Sequence, residues 1–401
     1  MKLPRVSLVR FKFPYLIAKN SKLLGVALCL GATLYAHHAR AAAFTLGDLV
    51  VVRVGDGTAA LSSAATATFL DEYTPGGVLV QTIPLPTALS GLNQPFTLSG
   101  SATSEGFLAL SQNGLYLTMG GYNAVPGTAG VTTATPTTVP RGVARIGLNG
   151  LVDTSTSLSD AYNGSNIRSA VSSDGVNIWT GGNAGSGLSA SAGPRYTTFG
   201  STTSVRVDTT ASNMRVVNIF NGQLYVSSST GTLLGVSTVG TGLPTTAGSS
   251  TITPLPGMPT TGSHSSYDFW FKDANTLYVA DDGSAANAGG IQKWTLSGGS
   301  WSLAYTLLNT GTTTTGVRGL TGTVDGTGNA VLYGTTGVGS SANTLISVTD
   351  TGAGAGATTI ATAGTSQVFR GVELLIVPEP SVGALAGLGL LALTFFRRFR
   401  R

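Results

Sequence analysis

Asp268-Phe-Trp-Phe-Lys-Asp-Ala-Asn-Thr-Leu-Tyr-Val-Ala-Asp-Asp-Gly283 is the stretch on which the fold turns. Two β-prone runs flank a polar Asp-Ala-Asn turn, and the second run carries an aromatic near its middle, which is the pattern of a strand pair. The same plan recurs at Glu105-Gly-Phe-Leu-Ala-Leu-Ser-Gln-Asn-Gly-Leu-Tyr-Leu-Thr-Met-Gly-Gly121, at Arg168-Ser-Ala-Val-Ser-Ser-Asp-Gly-Val-Asn-Ile-Trp-Thr-Gly-Gly182 and at Arg215-Val-Val-Asn-Ile-Phe-Asn-Gly-Gln-Leu-Tyr-Val-Ser-Ser-Ser229. A looser copy runs from Arg318 to Thr336. The copies start at 105, 168, 215, 268 and 318, in steps of 63, 47, 53 and 50.

Steps of that size match a four-stranded propeller blade and exceed the coil of a solenoid. Two more β-prone runs follow the repeated pair in three of the periods. They start at Arg195 and Ser204, at Thr232 and Ser250, and at Gly290 and Trp301. The ends of this region complement each other. Arg370-Gly-Val-Glu-Leu-Leu-Ile reads as a first strand with no blade after it, whereas the runs from Leu49, Ala67 and Val78 read as second, third and fourth strands with no first. Joining them closes a ring without open edges. The expectation is an all-β, six-bladed β-propeller over residues 44–376. A seven-bladed propeller, paired β-sandwiches and a β-helix are the alternatives.

Between 44 and 377 no capped helical stripe appears, and the chain carries 11 Lys plus Arg against 16 Asp plus Glu. The body is therefore near −5, although the whole sequence is +5. Such a body offers no cationic stripe for a phosphate backbone, so no nucleic-acid partner is expected. The one cysteine of the sequence, Cys29, lies in the amino-terminal apolar run, and burial rather than disulfides must hold the body together.

Arg168, Arg215, Arg318 and Arg370 stand at the starts of the first strands, which would face the central channel, and Glu105 and Asp268 take the matching places in the other two blades. Such a ring could coordinate an anionic sugar or a carboxylate. The plainer reading is that the arginines tie neighbouring blades through backbone carbonyls and the two acids. His264 is the only histidine beyond residue 38, so a multi-histidine metal site or a histidine relay is not expected. Asp281-Asp282 and Asp71-Glu72 lack the regular spacing of a calcium loop. We assign no catalytic residue, metal ligand or cofactor. Tyr116, Trp179, Tyr225, Tyr278 and Tyr333 occupy equivalent second-strand positions and read as packing between blades. Trp294, Trp301 and Tyr305 could form a sugar-stacking face, and Asn123 to Thr138 reads as a mobile or ligand-contacting loop.

The carboxy terminus carries a sorting pattern: Val377-Pro378-Glu379-Pro380-Ser381, an apolar run from Val382 to Phe396, then Arg397-Arg-Phe-Arg-Arg401. The prolines resist regular structure, the apolar run is short for a bilayer, and the arginines favour the anionic cytoplasmic face. This tail resembles that of the PEP-CTERM proteins, bacterial exported proteins processed by the membrane transpeptidase exosortase. The resemblance covers residues 377–401 alone. It implies a transmembrane segment that anchors the chain briefly in the inner membrane, a cut near Pro378-Glu379-Pro380, and a mature protein at the surface of a Gram-negative, exopolysaccharide-making cell. Residues 1–43 read as a secretory signal peptide, with a basic start, an apolar core from Leu23 to Ala36 and a signal-peptidase site at Ala39-Arg-Ala-Ala-Ala43. The expected role is noncatalytic: an exported cell-surface or matrix protein that binds polysaccharide or another envelope protein. A polysaccharide hydrolase or lyase using two carboxylates is the alternative.

Overall fold

The computed structural model of the chain describes residues 42–337 and 342–376. Residues 1–41 and the sorting tail, Val377 to Ser381 included, lie outside the described residues. Regular structure among the described residues is β-strand, apart from two 3-10 turns at Ser189–Ser191 and Ala285–Asn287. No described helix is long and apolar enough to cross a membrane.

Four antiparallel four-stranded sheets follow one another along the chain. Sheet one comprises Ile167–Ser172, Asn177–Gly182, Arg195–Thr198 and Val205–Arg206; sheet two comprises Val217–Phe220, Gln223–Thr230, Leu233–Val239 and Ile252–Pro254. Sheet three comprises Ser266–Asp273, Thr276–Asp281, Gly290–Ser297 and Ser300–Leu307; sheet four comprises Val317–Val324, Ala330–Thr336, Thr344–Thr349 and Thr358–Thr362. Each is a meander in which sequence neighbours are sheet neighbours, the strand order of a propeller blade.

The remaining strands form one nine-stranded sheet that joins the two ends of the body. Val368–Leu374 pairs antiparallel with Leu49–Val54, in the register Leu49 to Leu374 and Val50 to Glu373, with a bulge between Val51 and Arg53. Ala65–Tyr73 and Leu79–Pro84 continue outward as third and fourth strands. The complementary ends thus meet in the order read from their sequence. Leu108–Leu110, Tyr116–Tyr122, Arg141–Gly147 and Val152–Leu158 form a second meander within the same sheet. Several strands were not read from the sequence, among them Val152–Leu158, Thr344–Thr349, Thr358–Thr362 and the short Thr97–Ser99. Thr97–Ser99 pairs with Ala65 to Ala67 on one side and, through Thr97, with Tyr122 on the other. Three residues are too short to display a period of two.

Burial falls from the inner strands outward, as expected when sheets stack face to face. Ile167–Ser172 and all but one residue of Leu49–Val54 are buried, whereas Leu79–Pro84 and Thr358–Thr362 are largely open. Apolar faces then join the sheets in succession. Trp179 packs with Val217 and Leu224, and Phe220 stacks on Phe271 at 4.6 Å. Trp294 and Phe269 share a cluster with Leu320 and Leu332, and Leu345 and Tyr333 share one with Leu49 and Phe369. Tyr122 and Val143 pack with Ile167 and Ile178, which returns the series to its start. Burial of this kind contributes roughly 25 cal/mol per Å² of apolar surface.

Glycine makes the innermost approach possible. A Cβ on Gly371 would lie 2.6 Å from the Gly106 carbonyl oxygen and closer still to the Leu108 amide nitrogen, and one on Gly319 would lie 2.7 Å from the Arg370 carbonyl oxygen. The Arg-Gly pairs at 318 and 370 therefore combine a long cation with a backbone that its neighbour can touch.

Candidate functional site

The six sequence candidates all lie at or just before innermost strands, and all six connect with neighbouring strands or sheets through explicit bonds. Arg168, on Ile167–Ser172, donates from Nη1 to the Met214 carbonyl oxygen at 3.1 Å and to Asn213 Oδ1. Arg215 donates to the Ser266 carbonyl oxygen at 2.9 Å and to Ser265 Oγ at 3.1 Å. Arg370 reaches the Gly100 carbonyl oxygen at 3.3 Å. Arg318 binds Asp282 Oδ2 through Nε at 2.7 Å. Asp268 accepts from the Leu320 amide at 3.1 Å. Bonds of this charge-assisted kind contribute about 1.5–3 kcal/mol each when buried.

The two acids do not serve as the expected arginine partners. Glu105 accepts from the Ser99 amide at 2.7 Å, the Tyr122 hydroxyl at 2.7 Å and Asn166 Nδ2 at 3.2 Å. Asp268 takes the Phe269 amide besides that of Leu320. Burial pushes both carboxyls upward, against the pull of these bonds. The arginine ring finds its nearest bonded acid in Asp282, read from sequence only as half of an adjacent pair. The Ser265 hydroxyl donates to Asp282 while accepting from Arg215.

Around the centre two of the arginines lie over one aromatic ring. The Arg215 guanidinium lies 3.7 Å from the Tyr267 ring centroid and that of Arg318 5.5 Å. Phe107 packs against Tyr267 at 5.8 Å, and its amide donates to the Arg168 carbonyl oxygen at 3.3 Å. Phe107 also borders a gap, shared with Thr103, Glu105, Arg318, Thr335 and Arg370, that holds about one water molecule. Burial draws the Arg168 guanidinium down to about 10, helped by the neighbouring charge of Arg215. Arg370 is likewise drawn down to about 10 by burial, with Glu105 acting in the opposite sense. Both remain charged at neutral pH.

Other sequence candidates resolve into structure. Asp71 and Glu72 point apart: Asp71 holds Arg53 at 2.6 Å and Thr82 at 2.8 Å, and Glu72 holds the Thr45 amide and Gln81. Trp294, on the third strand, and Trp301, on the outer one, are both buried in one apolar cluster, Trp301 edge-on to Phe271, and offer no stacking face. Tyr305 donates to Asp350 at 2.6 Å, beside Lys293 at 2.8 Å. The segment 123–138 is not a loose loop. Val131 is fully buried, Gly127 and Thr128 bond to Ala65, and Arg141 clamps the Ala134 carbonyl at 2.7 Å. His264 sits half-buried before Ser266–Asp273. Among the described residues no group of His, Cys, Asp and Glu could hold a metal ion.

Sequence reading missed Tyr267, Phe107 and Glu373. Glu373 is the one half-buried residue of an otherwise buried strand and accepts from the Thr321 hydroxyl at 2.7 Å and the Leu110 amide at 3.2 Å. Only its place in Arg370-Gly-Val-Glu-Leu-Leu, an acid in an otherwise apolar strand, signalled it.

Neither a protein-family model nor a curated protein matches the sequence. Among solved structures, the chain is similar to one in a nidogen/laminin complex, with 11% identity, a TM-score of 0.41 and coverage of 80% of this chain and 97% of that one. A putative oxidoreductase (glucose dehydrogenase) of Thermus thermophilus gives 13%, 0.39, 71% and 93%. The soluble aldose sugar dehydrogenase of Escherichia coli gives 10%, 0.39, 74% and 98%. At these identities and scores the likeness says nothing about activity.

Proposed function

We propose that the chain is an exported, noncatalytic protein whose body is a single six-bladed propeller. Its role is to present a rigid face to extracellular polysaccharide or another envelope protein. The blade count divides the nine-stranded sheet at Thr97–Ser99 into two four-stranded meanders, one closed by Val368–Leu374 and one opened by Leu108–Leu110. Added to the four separate sheets, these make six. The successive packing of each sheet on the next supports that division.

The observation that carries the role is the bonding of the central side chains. Arg168, Arg215, Arg318 and Arg370 are anchored on neighbouring strands, and Glu105 and Asp282 are engaged by fixed donors. Using those acids for hydrolysis would first require breaking the bonds that hold the sheets together. A preorganised surface binds with little ordering cost of its own. Export and tail processing rest on the sequence pattern of residues 1–43 and 377–401, with signal peptidase and exosortase as the processing partners.

Two measurements test this reading. Intact mass of the exported protein is expected to give an amino terminus between Ala42 and Phe44 and loss of the residues after about Pro380; full-length chain in the cytosol would overturn export. Incubation with the host's own exopolysaccharide is expected to retain the protein without shortening the polymer. Shortened chains would establish the hydrolase or lyase alternative instead.

A further inference from the structure

We propose that the centre of the molecule, between Arg168, Arg215, Arg318 and Arg370, is a binding site for one small oxyanion group, a carboxylate or a phosphate. The inference stands on the arginines and goes beyond the role in polysaccharide presentation, since it applies to any source of such a group. Arg215 and Arg318 lie over Tyr267, Arg318 and Arg370 line the gap beside Phe107, and Arg168 is close enough to act on Arg215 and Tyr267, against three acids, Glu105, Asp281 and Asp282. The local excess is positive in a body whose net charge is negative, so the arrangement is not a reflection of overall composition.

Two donors at this centre lack an acceptor. The Nε atoms of Arg168 and Arg370 are buried and bond to no protein atom, while their terminal nitrogens are anchored on carbonyl oxygens. A buried donor left in that state costs roughly 1–3 kcal/mol, so a bound acceptor would recover free energy. Arg141 and Arg206 also carry unpartnered Nε atoms, but Arg141 commits its terminal nitrogens to four carbonyls and Arg206 sits beside Asp208. Neither belongs to that group of four cations.

The size of the space selects the ligand. The gap beside Glu105, Phe107 and Arg370 takes about one water-sized atom, so a single oxygen of the anion would enter it. The rest of the group would lie against Arg215 and Arg318, which are half-buried rather than enclosed. Planar guanidinium forks suit carboxylate and phosphate oxygens, and an apolar aromatic floor strengthens the attraction by excluding water. Glu105 is the competitor, since its charge acts on Arg370 across the same gap.

Arginine-labelled full-length protein offers a test that needs no variant. The Nε–H resonances of Arg168 and Arg370 are followed by nuclear magnetic resonance against glucuronate, inorganic phosphate, neutral glucose and sodium chloride at matched ionic strength. Saturable shifts with glucuronate, phosphate or both, and none with glucose or chloride, are expected. The pattern of the first two names the source of the group. Equal responses to all four, or none, would overturn the site and would leave the retention of polysaccharide as a separate question. Two variants sharpen the result. R168Q is expected to weaken binding about ten-fold or more, and E105Q is expected to tighten it by removing the competing charge. An E105Q protein that folds and binds more weakly would also overturn the proposal.

Discussion

At the scale of single residues, the acids held inside the fold are the most informative, because desolvation works against the charge of each. Burial in the wall of the closing strand pushes the Glu373 carboxyl up to about 7 from an ordinary 4.5. Asp268 is pushed the same way by burial, with Glu373 adding repulsion. Between about 4.5 and about 7 the folded form therefore holds a proton that the unfolded chain has released, and stability falls as pH rises through that window. Denaturant melts at about pH 5 and about pH 8 should show this fall. Glu373→Gln, which keeps an acceptor without a charge, should flatten it; a variant whose stability tracks the parent at both values would contradict the assignment. The signal for Glu373 was present in its sequence position, but its significance was not. An acid amid apolar residues reads equally as an edge position until the pairing of Val50 with Glu373 places it inside.

At the scale of elements, the strand Val368–Leu374 bears on the integrity of the whole. It lies between Leu49–Val54, to which it bonds, and the backbone around Gly106 to Leu108, which approaches it at Gly371. Gly371→Ala would place a methyl group 2.6 Å from the Gly106 oxygen and nearer still to the Leu108 nitrogen. Neither is the end of a flexible side chain, so the strands must part. The expected loss is about 1–3 kcal/mol, read from urea denaturation. Deleting Arg370 to Ile376 should cost most of the stability, because it exposes the edge of Leu49–Val54 and strips Val372 and Leu374 from the cluster around Phe369. If the truncated protein melts like its parent, closure by this strand is wrong. These strands were legible from alternating apolar runs and turn residues. Val205–Arg206 and Thr97–Ser99 were not resolved to their true extents, because two- and three-residue strands depend on what they pair with rather than on their own pattern.

At the scale of the whole molecule, charge separates the terminal segments from the body. The complete sequence is +5, whereas residues 44 to 377 carry 16 acids against 11 bases. If the terminal segments are removed as proposed, isoelectric focusing should place the remaining body below neutrality and the complete chain well above it; a basic form recovered outside the cell would mean that the terminal segments are retained. The sequence by itself determined the all-β class, the repeated strand pairs, the complementarity of the two ends and the place of each central arginine at or just before an innermost strand. Those features are written in local periodicity, turn chemistry and spacing, which act over a few residues at a time. Only the tertiary structure decided what the central side chains touch. Arg318 takes Asp282, Glu105 takes Tyr122 and Asn166, Arg168 takes Met214, and Arg215 and Arg318 lie over Tyr267. Such partners come from different sheets, and the distances between them are set by how the sheets pack, a relation that no stretch of chain contains.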